Sequence, residues 1–326
     1  MTRSAHTAAS ADVFRLDPAV RNTLEEMSVE LAATGGETNS SDWLLKVREY
    51  GLSLPLEFRR ELRALQRHSG EAGSLLVRGL PVGGSVPPTP MASGSVQRST
   101  TVPAALLMLV ACSLGEPVAF RAEKSGVLVQ DVVPVPGSED FQGNEGSVLL
   151  SFHTENAFHQ HRPDYVLLLC LRADHERVSG LRVACIRRAY PRLDATTKAA
   201  LRRAEFVTVP PPSFGSSGAE TPPHAVLCGD PADPDIVVDF AATRPLTPAA
   251  NTALLALQDN LAATADTHYL ERGDLAIVDN HVALHGRTAF QPRYDGRDRW
   301  LQRAFSVRDL RRSRDHRPKD GHVLVR

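Results

Sequence analysis

The sequence is short of several things, and each shortage removes a class of function. Only four cysteines occur in 326 residues, Cys112, Cys170, Cys185 and Cys228, and no two form a C-x-x-C pair. Zinc knuckles and disulfide frameworks need closely spaced or paired cysteines, so neither is expected, and a cytoplasmic setting follows. Three of the four sit in apolar runs, where a buried free thiol is the expected state. Charge of one sign is also lacking: 37 Lys and Arg stand against 38 Asp and Glu. A nucleic-acid partner calls for a basic footprint, and none is present. The arginines at 308, 311, 312 and 314 are interleaved with acids and read as a solvated segment. The most apolar run, Val102 to Cys112, is too short to span a bilayer, and the first twenty residues hold no apolar signal core. No membrane partner is expected. No G-x-G-x-x-G follows a strand-like run, no H-E-x-x-H occurs and no internal repeat is visible. Nothing in the sequence specifies an oligomeric state.

What is present is a globular composition, 42% hydrophobic and 23% charged, in a chain long enough for a large core. Residues 1–12 are small and polar and are expected to be disordered. From about 17 to 70, apolar residues recur at helical spacing in VRNTLEEMSVELAAT, SDWLLKVREYG and LEFRRELRALQRH, with Ser41 as an N-cap. SLLVRGLPV (74–82) has a strand rhythm. Residues 83–100, rich in Gly, Pro, Ser and Thr, read as a surface loop, and 102–114 as a helix. Short β-like runs follow at 126–135, 146–152, 164–172, 180–186, 204–210, 224–229, 235–240, 273–279 and 299–307, with helices at 193–203 and 247–265. Many short strands with irregular loops predict an antiparallel double sheet.

The segment richest in chemistry is Ser151-Phe152-His153-Thr154-Glu155-Asn156, directly after an apolar run. On a strand, residues i and i+2 share a face, so His153 and Glu155 converge on one point. One imidazole and one carboxylate fill only part of a metal's coordination sphere. The best third ligand is His285, in Asp279-Asn280-His281-Val282-Ala283-Leu284-His285-Gly286-Arg287, 132 residues beyond His153. Two imidazoles and a carboxylate that leave adjacent positions open suit the iron(II) oxygenases. A zinc hydrolase uses a similar set but needs a separate base near the open position. Residues His159, His161, His175, His224, His268 and His281 read as surface or satisfied histidines.

His153-Thr154-Glu155 followed by Ala157-Phe158-His159, His285-Gly286-Arg287 followed by PRYDGRDRWLQRAF (292–305), and VQDVVPV (129–135) together resemble the clavaminate synthase-like iron(II), 2-oxoglutarate-dependent oxygenases. Within that family the similarity is greatest to free L-amino acid β-hydroxylases of the arginine and asparagine oxygenase type. The resemblance implies a mainly β fold with flanking helices, a distorted double-stranded β-helix or jelly roll. It implies a single oxygenase domain over 13–326, with a helical part at about 17–70 and the jelly-roll core at about 74–310. It implies His153, Glu155 and His285 as iron ligands, with 2-oxoglutarate and O2 as co-substrates. Arg299, with Ser179 in place of the family's threonine, matches the 2-oxoglutarate partners. Arg303, Gln130 and Glu155 match contacts to the α-carboxylate and α-amino groups of an amino acid substrate, and Asp239 matches a reader of its side chain. The arginine oxygenases carry a second acid two residues after that position, where this chain has Ala241. The implied activity is hydroxylation at Cβ of a basic or amide-bearing amino acid in natural-product biosynthesis, with 211–235 as a lid. The alternatives are a taurine-type dioxygenase, a desaturase on the same scaffold, or a non-catalytic jelly-roll binding protein.

Overall fold

The structure, a computed structural model, describes residues 12–214 and 220–325. The disorder expected for 1–12 therefore falls almost wholly outside the described residues, as does the 215–219 stretch of the expected lid. Asp17 caps helix α1 (Pro18–Ala33) by accepting from the Val20 amide at 2.9 Å, with a proline in the first turn, where a missing N–H is harmless. Helix α2 (Ser41–Gly51) is capped by Ser40, not by Ser41: it is the Ser40 hydroxyl that meets the Trp43 amide, and Ser41 is already helical. Helix α3 (Leu56–Arg67) and helix α4 (Val102–Leu114, capped by Thr101) follow, and the helices expected near 193–203 and 247–265 lie at Ala195–Leu201 and Pro248–Thr264. Helix α4 is buried along most of its length, as a helix apolar all round must be, because α1, α2 and α3 pack on it from one side and a sheet from the other.

That larger sheet runs in the order Asp12–Arg15, Ser74–Arg78, Leu275–Asp279, Tyr165–Arg172, Trp300–Val307, Glu116–Phe120, Val323–Leu324, with Gln130–Val132 also paired to Trp300–Val307. Its central strand shows why the sequence reads as an unbroken apolar run. Val166, Leu168 and Cys170 enter one core, while Tyr165, Leu167, Leu169 and Leu171 enter the other, against the helices. A smaller antiparallel sheet runs Asp266–His268, Leu181–Cys185, Ala283–Arg287, Leu150–His153. Phe152, Val183 and Leu284 from it share the first core with Val166, Leu168 and Phe305 of the larger sheet. The two sheets thus enclose one apolar interior, and the smaller one carries two of the predicted metal ligands.

Several expectations are corrected. Pairing is antiparallel except at two edges, where Asp12–Arg15 runs parallel to Ser74–Arg78, and Val323–Leu324 to Glu116–Phe120. The run 126–135 supplies only the strand Gln130–Val132, because Lys124, Ser125 and Gly126 all hold positive φ just before it and fold the chain back. Ala283–Arg287 is a strand that alternation does not reveal, since His285, Gly286 and Arg287 break the β-branched pattern. Two of the four free cysteines, Cys170 and Cys185, are buried, while Cys228 is exposed. Arg308 is not merely solvated: its guanidinium donates to the Tyr165 hydroxyl. No described helix is long and apolar enough to cross a membrane.

Candidate metal centre and active site

The centre is made by one strand pairing. Leu150–His153 and Ala283–Arg287 run antiparallel with His153 directly opposite His285, and their rings lie 4.3 Å apart, centroid to centroid. Close cross-strand spacing explains why two imidazoles 132 residues apart in sequence meet. Glu155 arrives differently from expectation. The strand ends at His153, so Glu155 does not share its face by alternation. Thr154 instead donates its amide to the Val238 carbonyl at 2.7 Å, and Asn156 turns the chain at φ 50°. Asn280 then clamps Glu155, accepting from its amide at 2.8 Å and donating to its carbonyl at 3.0 Å. His285 Nε2 lies 3.4 Å from a Glu155 carboxylate oxygen, and one donor atom from each of His153, Glu155 and His285 falls within 4.8 Å of the others.

The donors are in the state a divalent cation needs. His153 Nδ1 is 2.9 Å from the Ser151 carbonyl, which only accepts, so Nδ1 carries a hydrogen and Nε2 is the ring nitrogen left for a metal. Burial, helped by the neighbouring His153, pushes the His285 imidazole down and keeps it neutral. Its Nδ1 is buried without a partner. Burial alone raises the Glu155 carboxyl, but Arg303 and the two histidines outweigh it and hold the group well below the carboxylate range. Two imidazoles, of which His285 is kept neutral by burial, and an ionised carboxylate therefore fit a hard-to-borderline divalent metal such as iron(II).

Beside this triad lies a pocket of about 500 Å³. Arg303, on the strand Trp300–Val307, donates to both Glu155 oxygens at 3.2 Å, to the Gln130 side-chain oxygen opposite it across the sheet, and to Glu123. Burial raises the Glu123 carboxyl against the opposing pull of Arg303. The Asn144 amide also faces Arg303, at 3.0 and 3.1 Å with its oxygen toward the guanidinium. Asp239 bridges to His153 through the backbone and lines the same pocket, with one carboxylate oxygen accepting the Ala241 amide at 2.8 Å. A larger cleft of about 750 Å³ surrounds Arg162 and His281 and contains none of these groups. Donor chemistry, not size, identifies the site.

Arg299 and Ser179 are brought together, but in a separate small cavity with Cys170, Asp174 and Leu301 rather than in the main pocket. Arg299 is 6% exposed and pairs with no carboxylate within 4 Å among the described residues, and the Ser179 hydroxyl is buried without a partner. A lone guanidinium and an orphaned hydroxyl in one cavity are suited to a carboxylate ligand. Glu123, Asn144 and Asn280 were not anticipated. No spacing links them to the ligand triad; only the fold brings them there. Of the remaining histidines, His281 bonds to Asp164 and His224 to Thr208. His175 meets Asp295 and Asp298, a second cluster with metal-ligating spacing.

The two-sheet fold and this donor set define an oxygenase class. The chain belongs to the taurine catabolism dioxygenase TauD, TfdA family, whose model matches residues 45–305. It is an iron(II)- and 2-oxoglutarate-dependent oxygenase. Among curated relatives it is 53% identical to an L-asparagine oxygenase of Streptomyces coelicolor over 326 residues, covering 99% of this chain and 98% of that one. It is 35% identical to clavaminate synthase 2 of Streptomyces clavuligerus, covering 77% and 79% respectively. A solved asparagine oxygenase in complex with Fe(II), 2S,3S-3-hydroxyasparagine and succinate superposes with a TM-score of 0.94 at 53% identity, over 96% of this chain and 99% of that chain.

Proposed function

We propose that this chain hydroxylates a free L-amino acid with an amide side chain, L-asparagine before others, at Cβ. The observation that carries this reading is Arg303, a buried guanidinium bonded to Glu155 and Glu123 and facing Gln130 and Asn144. A cation among two acids and two amides is complementary to the two charged ends of an amino acid. Arg303 takes the α-carboxylate; Gln130 and Glu155 receive the α-amino group. Fixing the α-carbon through Glu155 sets Cβ next to the triad. Asp239 accepts from a side-chain amide, and Ala241, with no second acid, disfavours a guanidinium substrate. The likeness to the L-asparagine oxygenase supports the same choice. A taurine-type substrate has no use for this α-amino acid cradle.

His153, Glu155 and His285 hold the iron, and Arg299 with Ser179 grips the far carboxylate of 2-oxoglutarate. Iron with 2-oxoglutarate and O2 supplies the oxidising power for C–H hydroxylation. The protein's part is orientation and exclusion of water. We read 13–326 as one oxygenase domain, supported by α1 to α4 sharing a core with the larger sheet, and the two facing sheets as a distorted jelly roll. A β-hydroxy amino acid made this way suits use as a peptide building block in natural-product biosynthesis.

The test is succinate formation from 2-oxoglutarate with iron(II) across L-asparagine, L-glutamine, L-arginine, L-lysine, L-citrulline and taurine, with products weighed. The expected result is one succinate per oxygen gained on L-asparagine. Coupled turnover of L-arginine but not L-asparagine overturns the substrate assignment.

A further inference from the structure

Arg287 closes the His-Gly-Arg motif, yet none of the roles above uses it. It is 3% exposed, sits two residues beyond His285 on the same strand, and pairs with no carboxylate within 4 Å among the described residues. A buried cation is costly, and a methionine would fill the space at less expense if packing were its only task. What the guanidinium does is donate to two carbonyls, Val148 at 3.0 Å and Gly143 at 3.4 Å. These flank the segment 144–147, which forms no strand and folds tightly: the Ser147 amide returns to the Glu139 carbonyl at 2.8 Å. A Cβ on Gly146 would lie 1.9 Å from the Phe141 carbonyl oxygen, so the turn accepts no side chain there. The segment supplies two pocket residues, Asn144, which faces Arg303, and Glu145, which bonds Ser93 and the Gly94 amide at 2.8 and 2.7 Å.

The contacts close a ring around the pocket. His285 meets Glu155, Glu155 meets Arg303, Arg303 meets Asn144, the Asn144 segment is held by Arg287, and Arg287 returns through Gly286 to His285. The first three links are contacts between side chains of the site itself. Arg287 is the link that ties the pocket wall to the metal-ligand strand.

We propose that Arg287 is a positioning residue for the amino acid substrate, setting the distance between the Asn144 wall and the iron-ligand strand, and not a partner of 2-oxoglutarate. This rests on the amino acid hydroxylase reading, and substrate-independent succinate formation checks that the oxygenase chemistry itself is intact. The experiment compares Arg287→Met and Arg287→Lys with the parent enzyme loaded with iron(II), alongside Asn144→Ala and the double variant. In Arg287→Met the KM for the amino acid rises at least tenfold, the dissociation constant for 2-oxoglutarate measured without oxygen stays within twofold, and succinate outruns hydroxylated product. Arg287→Lys, which keeps the charge but not the fork that spans two carbonyls, recovers part of the loss. Because Arg287 acts through the Asn144 wall, the double variant loses less than the product of the two single effects. An unchanged amino acid KM overturns the proposal. So does a tenfold weaker 2-oxoglutarate, which makes Arg287 a co-substrate residue, or strict additivity with Asn144→Ala. Should Arg287→Met fail to fold, Arg287→Lys and the Asn144 cycle built on it carry the same tests.

Discussion

Arg299→Met separates a ligand-waiting cation from a structural one. Burial, its largest influence, pushes the Arg299 guanidinium down from its ordinary value to about 10, with Cys170 and Asp174 only partly compensating. A drop of that size corresponds to roughly 3 kcal/mol for holding the buried charge without a carboxylate partner. Removing the charge removes that penalty, so the variant without co-substrate melts at the same temperature as the parent or a few °C higher, by about 2 °C per kcal/mol. Binding moves the opposite way. Losing one partner of a buried, doubly hydrogen-bonded charge pair costs about 2–5 kcal/mol, or roughly 30-fold to several thousand-fold in 2-oxoglutarate affinity. The assay is thermal unfolding with manganese(II) in place of iron, so that nothing turns over, titrated with 2-oxoglutarate. At 100 times its dissociation constant the ligand stabilises the parent by about 2.7 kcal/mol; if Met weakens binding 100-fold, the same concentration gives about 0.4 kcal/mol. A variant that melts lower without ligand and keeps the full 2-oxoglutarate shift would refute the reasoning and make Arg299 part of the scaffold.

Glu155→Ala removes one ligand and leaves Glu123 as the one carboxylate paired with Arg303 among the described residues; iron retained after desalting should fall from near one per chain to a trace while the far-ultraviolet spectrum is kept, and full retention contradicts the assigned triad. Gly286→Ala places a methyl 2.6 Å from the Leu150 carbonyl oxygen, so the two ligand strands must part. We expect a loss of about 1–3 kcal/mol in urea unfolding and at least a tenfold loss in metal affinity, and a silent substitution argues against the strand register. His281 is held up at about 9, burial being outweighed by Asp164 and Asp235. Its folded value lies above its unfolded one, so this contribution is complete below pH 6.5 and is lost as pH rises through 9, by about 3 kcal/mol at most. His281→Gln should flatten the stability profile over that window, and parallel profiles for the two proteins would show that His281 does not titrate as described.

The sequence by itself determined the helices of the N-terminal part, since a 3.6-residue apolar repeat and a capping side chain are local properties. It also singled out the candidate donors. His153, Glu155 and His285 stand out because a polar triplet breaks an apolar run and a histidine heads a glycine and an arginine. Arg299 and Arg303 are legible only through the family resemblance; Arg303 lies on the strand Trp300–Val307 and Arg299 directly precedes it. Alternation beyond the strand Leu150–His153, however, gave the wrong geometry for Glu155, because that strand ends two residues before it. Asn280, from a turn 125 residues away, places it there. Register between Leu150–His153 and Ala283–Arg287 is a choice made by distant backbone hydrogen bonds, and no local pattern encodes it. The same holds for Glu123 and Asn144 beside Arg303, and for the Arg287 clamp on the pocket wall. Local periodicity records which face of an element is buried. Which polar groups then meet across that buried space is decided only when the sheets close on each other, because an unpaired charge in the interior is tolerated only where another part of the chain, or a ligand, arrives to meet it.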